Sequence, residues 1–349
     1  MGCAKYSIRK VGGEVTMNDS QQERSLPAST QILESAETSR TVENIEHDAR
    51  ALLKVNNLKV DFNNSRHQWT RIVHGVSFAV GKGEILGIVG ESGCGKSVTA
   101  FSILRLHERR TTRYEGAITF EGHDIFSLGQ KQLRTLRGGD IGFIFQNPMS
   151  SLNPLLTIGQ QLRETVRTHQ PSLSKNEVES SCIEALHDAG SDNPESWMKQ
   201  YPYQFSGGML QRVMIGMALI NHPKLLIADE PTTALDVTIQ MQLLKVLRDL
   251  RKTRDMSIVL ITHDMGVVAQ MCDRVEVMYQ GRIMESAPVS DIFAHPRNPY
   301  TQGLLAAIPP MEGPRPKRLK TVSDFLKQSG SDLSPHGDVM DHAALTAKE

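Results

Sequence analysis

Lys96, Ser97, Asp229, Glu230 and His263 combine types that suit phosphate chemistry. A lysine, a hydroxyl and a carboxylate can hold an oxygen-rich anion together with a hard divalent cation. A second carboxylate and an imidazole can orient a water and take its proton. Lys96 and Ser97 close the stretch Gly90-Glu91-Ser92-Gly93-Cys94-Gly95-Lys96-Ser97, which fits G-x-x-x-x-G-K-[ST]. Its glycines let the backbone bend tightly, so that successive N–H groups face phosphate oxygens, with the positive end of a helix dipole behind them. Lys96 would reach the outer phosphates, Ser97 would ligate Mg²⁺, and Val98, the next residue, completes the cradle. The alternative is a glycine-rich turn that binds nothing. Against it, residues 85–89 form an apolar run that reads as a buried strand, and residues 98–106 have the period of a helix.

Three further apolar runs end in polar side chains. Leu225-Leu226-Ile227-Ala228 runs into Asp229-Glu230, and adjacent carboxylates are costly at a strand end unless a cation or a reacting water needs them. Asp229 is expected to hold Mg²⁺ through water or through Ser97, and Glu230 to polarise the attacking water. Residues 141–145 end in Gln146-Asn147-Pro148, where Pro148 is expected to stop sheet and helix alike. Gln146 then falls at the carboxyl edge of the sheet, where α/β ligands bind, in reach of Mg²⁺ or the water. Residues 257–261 lead into Thr262-His263-Asp264. A lone histidine is more often structural, but polar residues at three strand ends beside one phosphate loop favour a catalytic one, donating to the γ-phosphate or holding the water in line.

The elements that position these groups follow from the same patterns. Alternation in Leu53-Lys54-Val55, in residues 58–62 and around residues 72–80 predicts antiparallel strands ahead of the phosphate loop. Phe62 is the first candidate to stack on a nucleotide base and Trp69 the second, with a plain core role open for Phe62. Residues 155–220 read as an inserted helical region, with Ile158, Leu162 and Val166 at helical spacing. Near its end Phe205-Ser206-Gly207-Gly208-Met209 opens a helix: either Ser206 is an ordinary cap, or these bare N–H groups form a second anion site. Residues 231–236 turn into a helix running to about residue 252, a hairpin turns at Gln280-Gly281, and short helices are expected at 289–294 and 300–308.

Composition narrows the class. The chain has 349 residues with 39 basic and 39 acidic side chains, and only 5% aromatics, which gives no support to nucleic-acid binding. Cys3, Cys94, Cys182 and Cys272 form no C-x-x-C pair, which argues against a zinc site or a disulfide framework and fits a reducing compartment. No apolar run approaches the roughly 18 residues that span a bilayer. Met1-Gly2-Cys3 hints at acylation, but Tyr6 stands where the pattern wants Ser or Thr, so membrane work would need another protein as anchor. Residues 1–48 are polar and expected to be a disordered extension, with Met17 as an alternative start, and residues 311–349 are expected to be a flexible tail whose basic cluster, 314–320, reads as a solvated linker.

Taken together, these segments resemble the nucleotide-binding subunit of an ABC transporter. The order is Walker A (residues 90–97), Q-loop (Gln146), signature (Ser206-Gly207-Gly208, with Gln211), Walker B (residues 225–230), D-loop (Ala234-Leu235-Asp236) and switch histidine (His263). The resemblance implies an α/β P-loop NTPase fold over residues 49–310, with a RecA-like core, an antiparallel β-subdomain and an α-helical subdomain. It also implies that two subunits pack head to tail, each signature closing on the other's ATP. Gln146-Asn147-Pro148-Met149-Ser150-Ser151-Leu152-Asn153-Pro154, the Phe-Ser-Gly-Gly-Met signature and His295-Pro296-Arg297-Asn298-Pro299-Tyr300-Thr301 are similar to oligopeptide and dipeptide importer ATPases, the last within a C-terminal motif at about 285–310. Members of that group also import nickel and other small solutes. The implied cofactors are ATP and Mg²⁺. No iron–sulfur cluster is expected, because no cysteine follows Cys272. The implied partners are two membrane permeases, a second ATPase subunit, alike or different, and an extracytoplasmic solute-binding protein, at the cytoplasmic face of the membrane. The rival class, an ABC ATPase acting on ribosomes or DNA, usually carries two cassettes or a long coiled-coil insertion, and neither is present.

Overall fold

The computed structural model describes residues 51–63, 68–233 and 235–307, all within the larger of the two units into which the chain divides, His47–Glu349. The expected extension at 1–48, the tail at 311–349 and Ala234 of the D-loop lie outside the described residues.

One sheet is antiparallel, in the order β2-β1-β4-β5, from β1 (Ala51–Asn63), β2 (Trp69–Gly81), β4 (Thr112–Phe120) and β5 (His123–Asp124). The runs at 53–55 and 58–62 are one strand. Their alternation slips by one residue, and a bulge between Val55 and Leu58 absorbs the slip. Leu53, Val55, Leu58 and Val60 can therefore all be buried on one face. Asn57 pays out the extra residue at φ 47°, and its carbonyl lies where a Cβ on Gly116 would be, at 2.4 Å.

The other sheet runs β10-β9-β3-β8-β7-β6. Its strands are β3 (Ile85–Val89), β6 (Ile141–Ile144), β7 (Leu225–Asp229), β8 (Ser257–Thr262), β9 (Arg274–Tyr279) and β10 (Arg282–Pro288). All neighbours pair parallel except β10 with β9. β3, β7 and β8 are buried along their whole length, which is why they read as continuous apolar runs rather than alternating ones. Successive residues still part to opposite faces. Leu225 and Ile227 join the core shared with the antiparallel sheet, whereas Leu226 and Ala228 join the core shared with the helical region. The register pairs Val89 with Thr262, Asp229 with Ile261 and Ile144 with Ala228, so the chain leaves β3, β6, β7 and β8 along one carboxyl edge.

Helix α1 (Lys96–Ile103) starts two residues earlier and ends sooner than the sequence period predicts. After it, Arg105 takes φ 51° and donates to the carbonyls of Ile125, Phe126 and Leu128, which ties the end of α1 to the segment before α2 (Gln130–Leu136). The helical region comprises α3 (Pro148–Ser151), α4 (Ile158–His169), α5 (Lys175–Asp188), α6 (Pro194–Trp197) and α7 (Gly207–Leu219). Capping boxes at Thr157 with Gln160 and Ser174 with Glu177 fix the starts of α4 and α5. The strand β6 has ended before Pro148, as expected, and Pro148 itself opens a short helix, because at the first helical position its missing N–H costs nothing and Asn147 caps it. The chain closes with α8 (Val237–Arg254), α9 (Met265–Met271), α10 (Val289–Ala294) and α11 (Pro299–Ala306). Among the described residues no helix is long and apolar enough to cross a membrane.

Candidate nucleotide site

The phosphate loop lies between the end of β3 and α1, and its backbone leaves little room for other residues. Gly90, Gly93 and Gly95 have φ of 156°, 80° and 103°, and a Cβ on Gly90 would lie 2.1 Å from the Met278 carbonyl oxygen. The first N–H groups of α1 have no acceptor within the helix and are available to an anion. Lys96 is buried, and its Nζ donates to the carbonyls of Gly90 (2.8 Å) and Glu91 (2.9 Å), so its charge is held over the loop. Ser97 Oγ donates to Asp229 Oδ1 at 3.0 Å. Burial pushes the Asp229 carboxyl up, the Ser97 bond works against this, and the neighbouring Glu230 charge adds to it. A desolvated carboxylate beside a hydroxyl is a hard-oxygen pair that fits Mg²⁺, which needs only one or two protein oxygens when phosphate and water complete its shell. Accordingly, the fit does not depend on a larger ligand cluster, and none of three or more His, Cys, Asp or Glu occurs among the described residues.

Glu230 is the meeting point of the strand-end residues. It follows β7 at φ 46°, with its N–H bonded to the Ile261 carbonyl at 2.9 Å. Its Oε2 accepts from Gln146 Nε2 (3.0 Å) and Thr233 Oγ1 (2.9 Å), and His263 Nδ1 lies 3.4 Å from its Oε1. Burial alone would raise this carboxyl. The hydrogen bonds from Thr233 and His263, with the charges of His263 and Lys96, outweigh it and hold Glu230 below its ordinary value. The group is therefore an anion near neutral pH, next to Asp229, which contacts the loop through Ser97. The His263 side chain is 57% exposed against 11% for Glu230, so the imidazole faces outward from the carboxylate it touches.

Sequence reasoning missed Thr233 and Tyr300. Thr233 was within reach, as a hydroxyl three residues past a carboxylate in a turn. The Tyr300 hydroxyl accepts from the Glu91 N–H at 3.2 Å across 209 positions, and no local pattern signals that. The two aromatic candidates both have partners. The half-buried Phe62 ring meets His107 edge-on at 4.9 Å, and Arg113 lies 3.8 Å over the Trp69 ring.

The second glycine turn stands apart. Ser206 caps α7, accepting from the Met209 N–H, while Gly207 is exposed and a Cβ there would meet nothing within 4 Å. Gly208 backs onto Ile239, and Asp236 caps α8 by accepting from the Ile239 N–H at 3.0 Å. A cleft of about 690 Å³ is lined by Ser206, Gly207, Gly208, Arg212, Asp236 and their neighbours, with no residue of the phosphate loop and none of Gln146, Asp229, Glu230 or His263. Gln211 is buried, and its Nε2 has no partner among the described residues.

The chain is similar to known proteins in sequence and in fold. The family model described as ABC transporter matches residues 73–233, and that of the oligopeptide/dipeptide transporter C-terminal region matches residues 284–329. The oligopeptide transport ATP-binding protein OppD of Bacillus subtilis is 47% identical over 272 residues, 78% of this chain and 75% of that protein. The dipeptide transport ATP-binding protein DppD of the same organism is 48% identical over 262 residues, 75% of this chain and 78% of that one. Among solved structures, the ATP-binding cassette MJ0796, a dimer in a post-hydrolysis state bound to ADP and Pi, matches at a TM-score of 0.61 and 27% identity over 68% of this chain and 98% of that chain. The cbiO1 subunit from Clostridium perfringens, part of the cbiONQ transporter complex, matches at 0.60 and 28%, over 70% and 92%.

Proposed function

The chain belongs to the ABC transporter family, and on that premise we propose that it is the ATP-hydrolysing subunit of an importer for peptides. The observation that carries hydrolysis is the convergence of Gln146, Thr233 and His263 on Glu230, one residue from the Asp229 that bonds Ser97. Two features support peptides as the solute: the match of residues 284–329 to the oligopeptide/dipeptide C-terminal region and the names of the relatives.

In this reading ATP lies along residues 90–98, with its base near Phe62. Backbone N–H groups of Gly93, Cys94, Gly95 and the first turn of α1 hold the phosphates, and Lys96 turns from its loop carbonyls to the outer phosphate oxygens. Ser97, Asp229 and Gln146 would hold Mg²⁺, which would supply neutralisation of the phosphate charge. Glu230 accepts the proton of a water that Gln146 and His263 orient in line with the γ-phosphate. Most of the rate then comes from placement and charge, as phosphoryl transfer requires. Ser206, Gly207 and Gly208 act on the nucleotide of a second ATPase subunit, with Gln211 behind them and Asp236 at the facing turn. ATP binding closes the pair and hydrolysis reopens it. The domain runs over residues 49–310, with the helical subdomain at about 155–220 facing the permeases. Two membrane permeases hold the chain at the cytoplasmic face, and an extracytoplasmic binding protein delivers the peptide.

Purification of the full chain from its own membranes tests this. Co-recovery of two permeases and a second ATPase, with hydrolysis stimulated by a peptide-loaded binding protein, is the expected result. Recovery with ribosomes and no membrane protein would overturn it.

A further inference from the structure

The segment after β10 has no part in the hydrolytic scheme, yet it ends on the phosphate loop. The turn before α11 is fixed from several sides. The Glu285 carboxylate accepts the N–H groups of Arg297 (2.8 Å) and Asn298 (3.1 Å). Asn298 caps α11 by accepting from the Tyr300 N–H at 2.8 Å, and its Nδ2 donates to the Met284 carbonyl at 3.2 Å. Gln302 Nε2 donates to the Pro296 carbonyl at 2.9 Å. With its backbone so held, Tyr300 is fully buried, its ring 4.4 Å from that of Tyr279, and its hydroxyl meets the Glu91 N–H.

The Glu91 residue is a junction. Its N–H is held by Tyr300 and its carbonyl accepts Lys96 Nζ, while on the other side Gly90 abuts the Met278 carbonyl just before Tyr279. We propose that Tyr300 is a positioning residue for the nucleotide: its hydroxyl fixes the Gly90–Glu91 limb of the phosphate loop, so that the C-terminal segment sets ATP affinity rather than the hydrolytic rate. Without that bond the limb samples more conformations, and nucleotide binding must order them. The rate is spared because Glu230, Gln146 and His263 follow the ends of other strands, β7, β6 and β8. Burial holds the Tyr300 phenol well above its ordinary range, so the hydroxyl keeps its proton at every working pH. The inference rests on the nucleotide reading of residues 90–98.

Tyr300→Phe removes the hydroxyl and keeps the ring. Tyr279→Phe, which removes a hydroxyl bonded to Gln280 and not to the loop, is the control. Calorimetric titration of the full chain with Mg-ATP should show Tyr300→Phe weakened by roughly 3- to 10-fold, the span of one hydrogen bond. Tyr279→Phe should bind as the wild type does. In the assembled transporter KM should rise by the same factor at unchanged kcat, and the Glu91 amide should exchange faster with solvent. Equal weakening by both variants, unchanged affinity of Tyr300→Phe, or a fall in kcat at constant KM would each overturn the proposal while wild-type binding upholds the nucleotide reading. A wild-type chain that binds no ATP removes both.

Discussion

The helices that start at Lys96 and at Gly207 both open from a glycine turn with bare N–H groups, and their surroundings differ throughout. Gly90 is enclosed by its own chain: the Met278 carbonyl stands where a Cβ would go, and Lys96, Tyr300 and, through Ser97, Asp229 close in. Gly207 has nothing within 4 Å of its missing Cβ and borders a cleft with no cation or carboxylate from the hydrolytic set. The folding of this chain therefore requires a glycine at position 90. At position 207 it does not, and a requirement for glycine there has to come from outside the chain. One turn is enclosed by its own chain and the other is open, and in the reading proposed above the open turn serves the nucleotide of a second subunit.

If the first half holds all of the hydrolytic chemistry, Glu230→Gln should have the largest effect. The amide keeps an acceptor for Thr233 but cannot take a proton, so steady-state hydrolysis should fall by at least about 100-fold, the usual weight of a general base. ATP binding by the isolated chain should persist, and nucleotide should trap a closed dimer visible by gel filtration. Unchanged turnover would move the chemistry away from this cluster and remove the contrast.

Gly207→Ala tests the other half. Because a methyl group there meets nothing within the chain, melting temperature and ATP affinity of the isolated subunit should be unchanged, and alanine even favours the helix slightly. Turnover of the assembled transporter should still drop by roughly 10-fold or more, as when one donor to phosphate is displaced. A wild-type rate would mean that nothing approaches this glycine. A cognate Gly90→Ala variant should instead lose stability before any question of turnover arises.

The two halves also differ in how far they can be read from sequence. β3, β7 and β8 are legible because strands buried on both faces must be continuously apolar, so the abrupt change at Asp229-Glu230 and at Thr262-His263 marks the sheet edge. The parallel register then aligns those ends without further information. What stays hidden depends on distant pairing or on backbone detail. The slip in alternation between residues 55 and 58 is legible, but that one strand bulges there, with Gly116 making room opposite Asn57, is not. The φ of Glu230 follows from its N–H bond to Ile261, not from its neighbours in sequence. Pro148 could be read as a stop for what precedes it, but not as the start of α3, which rests on the cap from Asn147. Ser206 is a cap within its own chain, as one of the two readings of its sequence had it, and the open space beside Gly207 shows only in three dimensions.

The smallest effect expected is electrostatic, and it separates the supports of the two halves by sign. Beside β3, Glu276 on β9 is buried; its Oε1 accepts from Arg274 Nη1 (2.6 Å) and Ser286 Oγ (2.9 Å), and Arg274 Nε continues to Glu84 (3.0 Å). Burial pushes Glu276 up to about 7 even against the charge of Arg274. The folded chain then keeps a proton that the unfolded chain releases from about pH 4.5 upward, so stability falls as pH rises through that window, by at most about 3 kcal/mol. In the helical half, Arg163 holds Glu179 below its ordinary value through a 2.7 Å bond, in a pair 32% and 41% exposed. That contribution has the opposite sign, present above the unfolded pKa and lost as pH falls, and solvent screening keeps it well under 1 kcal/mol. Thermal melts from pH 4 to pH 8 should therefore lose their downward slope toward neutrality in Glu276→Gln, whereas Glu179→Gln should change only the acid end, and only slightly. A larger effect from Glu179→Gln, or the same sign from both, would mean that the sheet side is not the half whose stability depends on a buried titratable group.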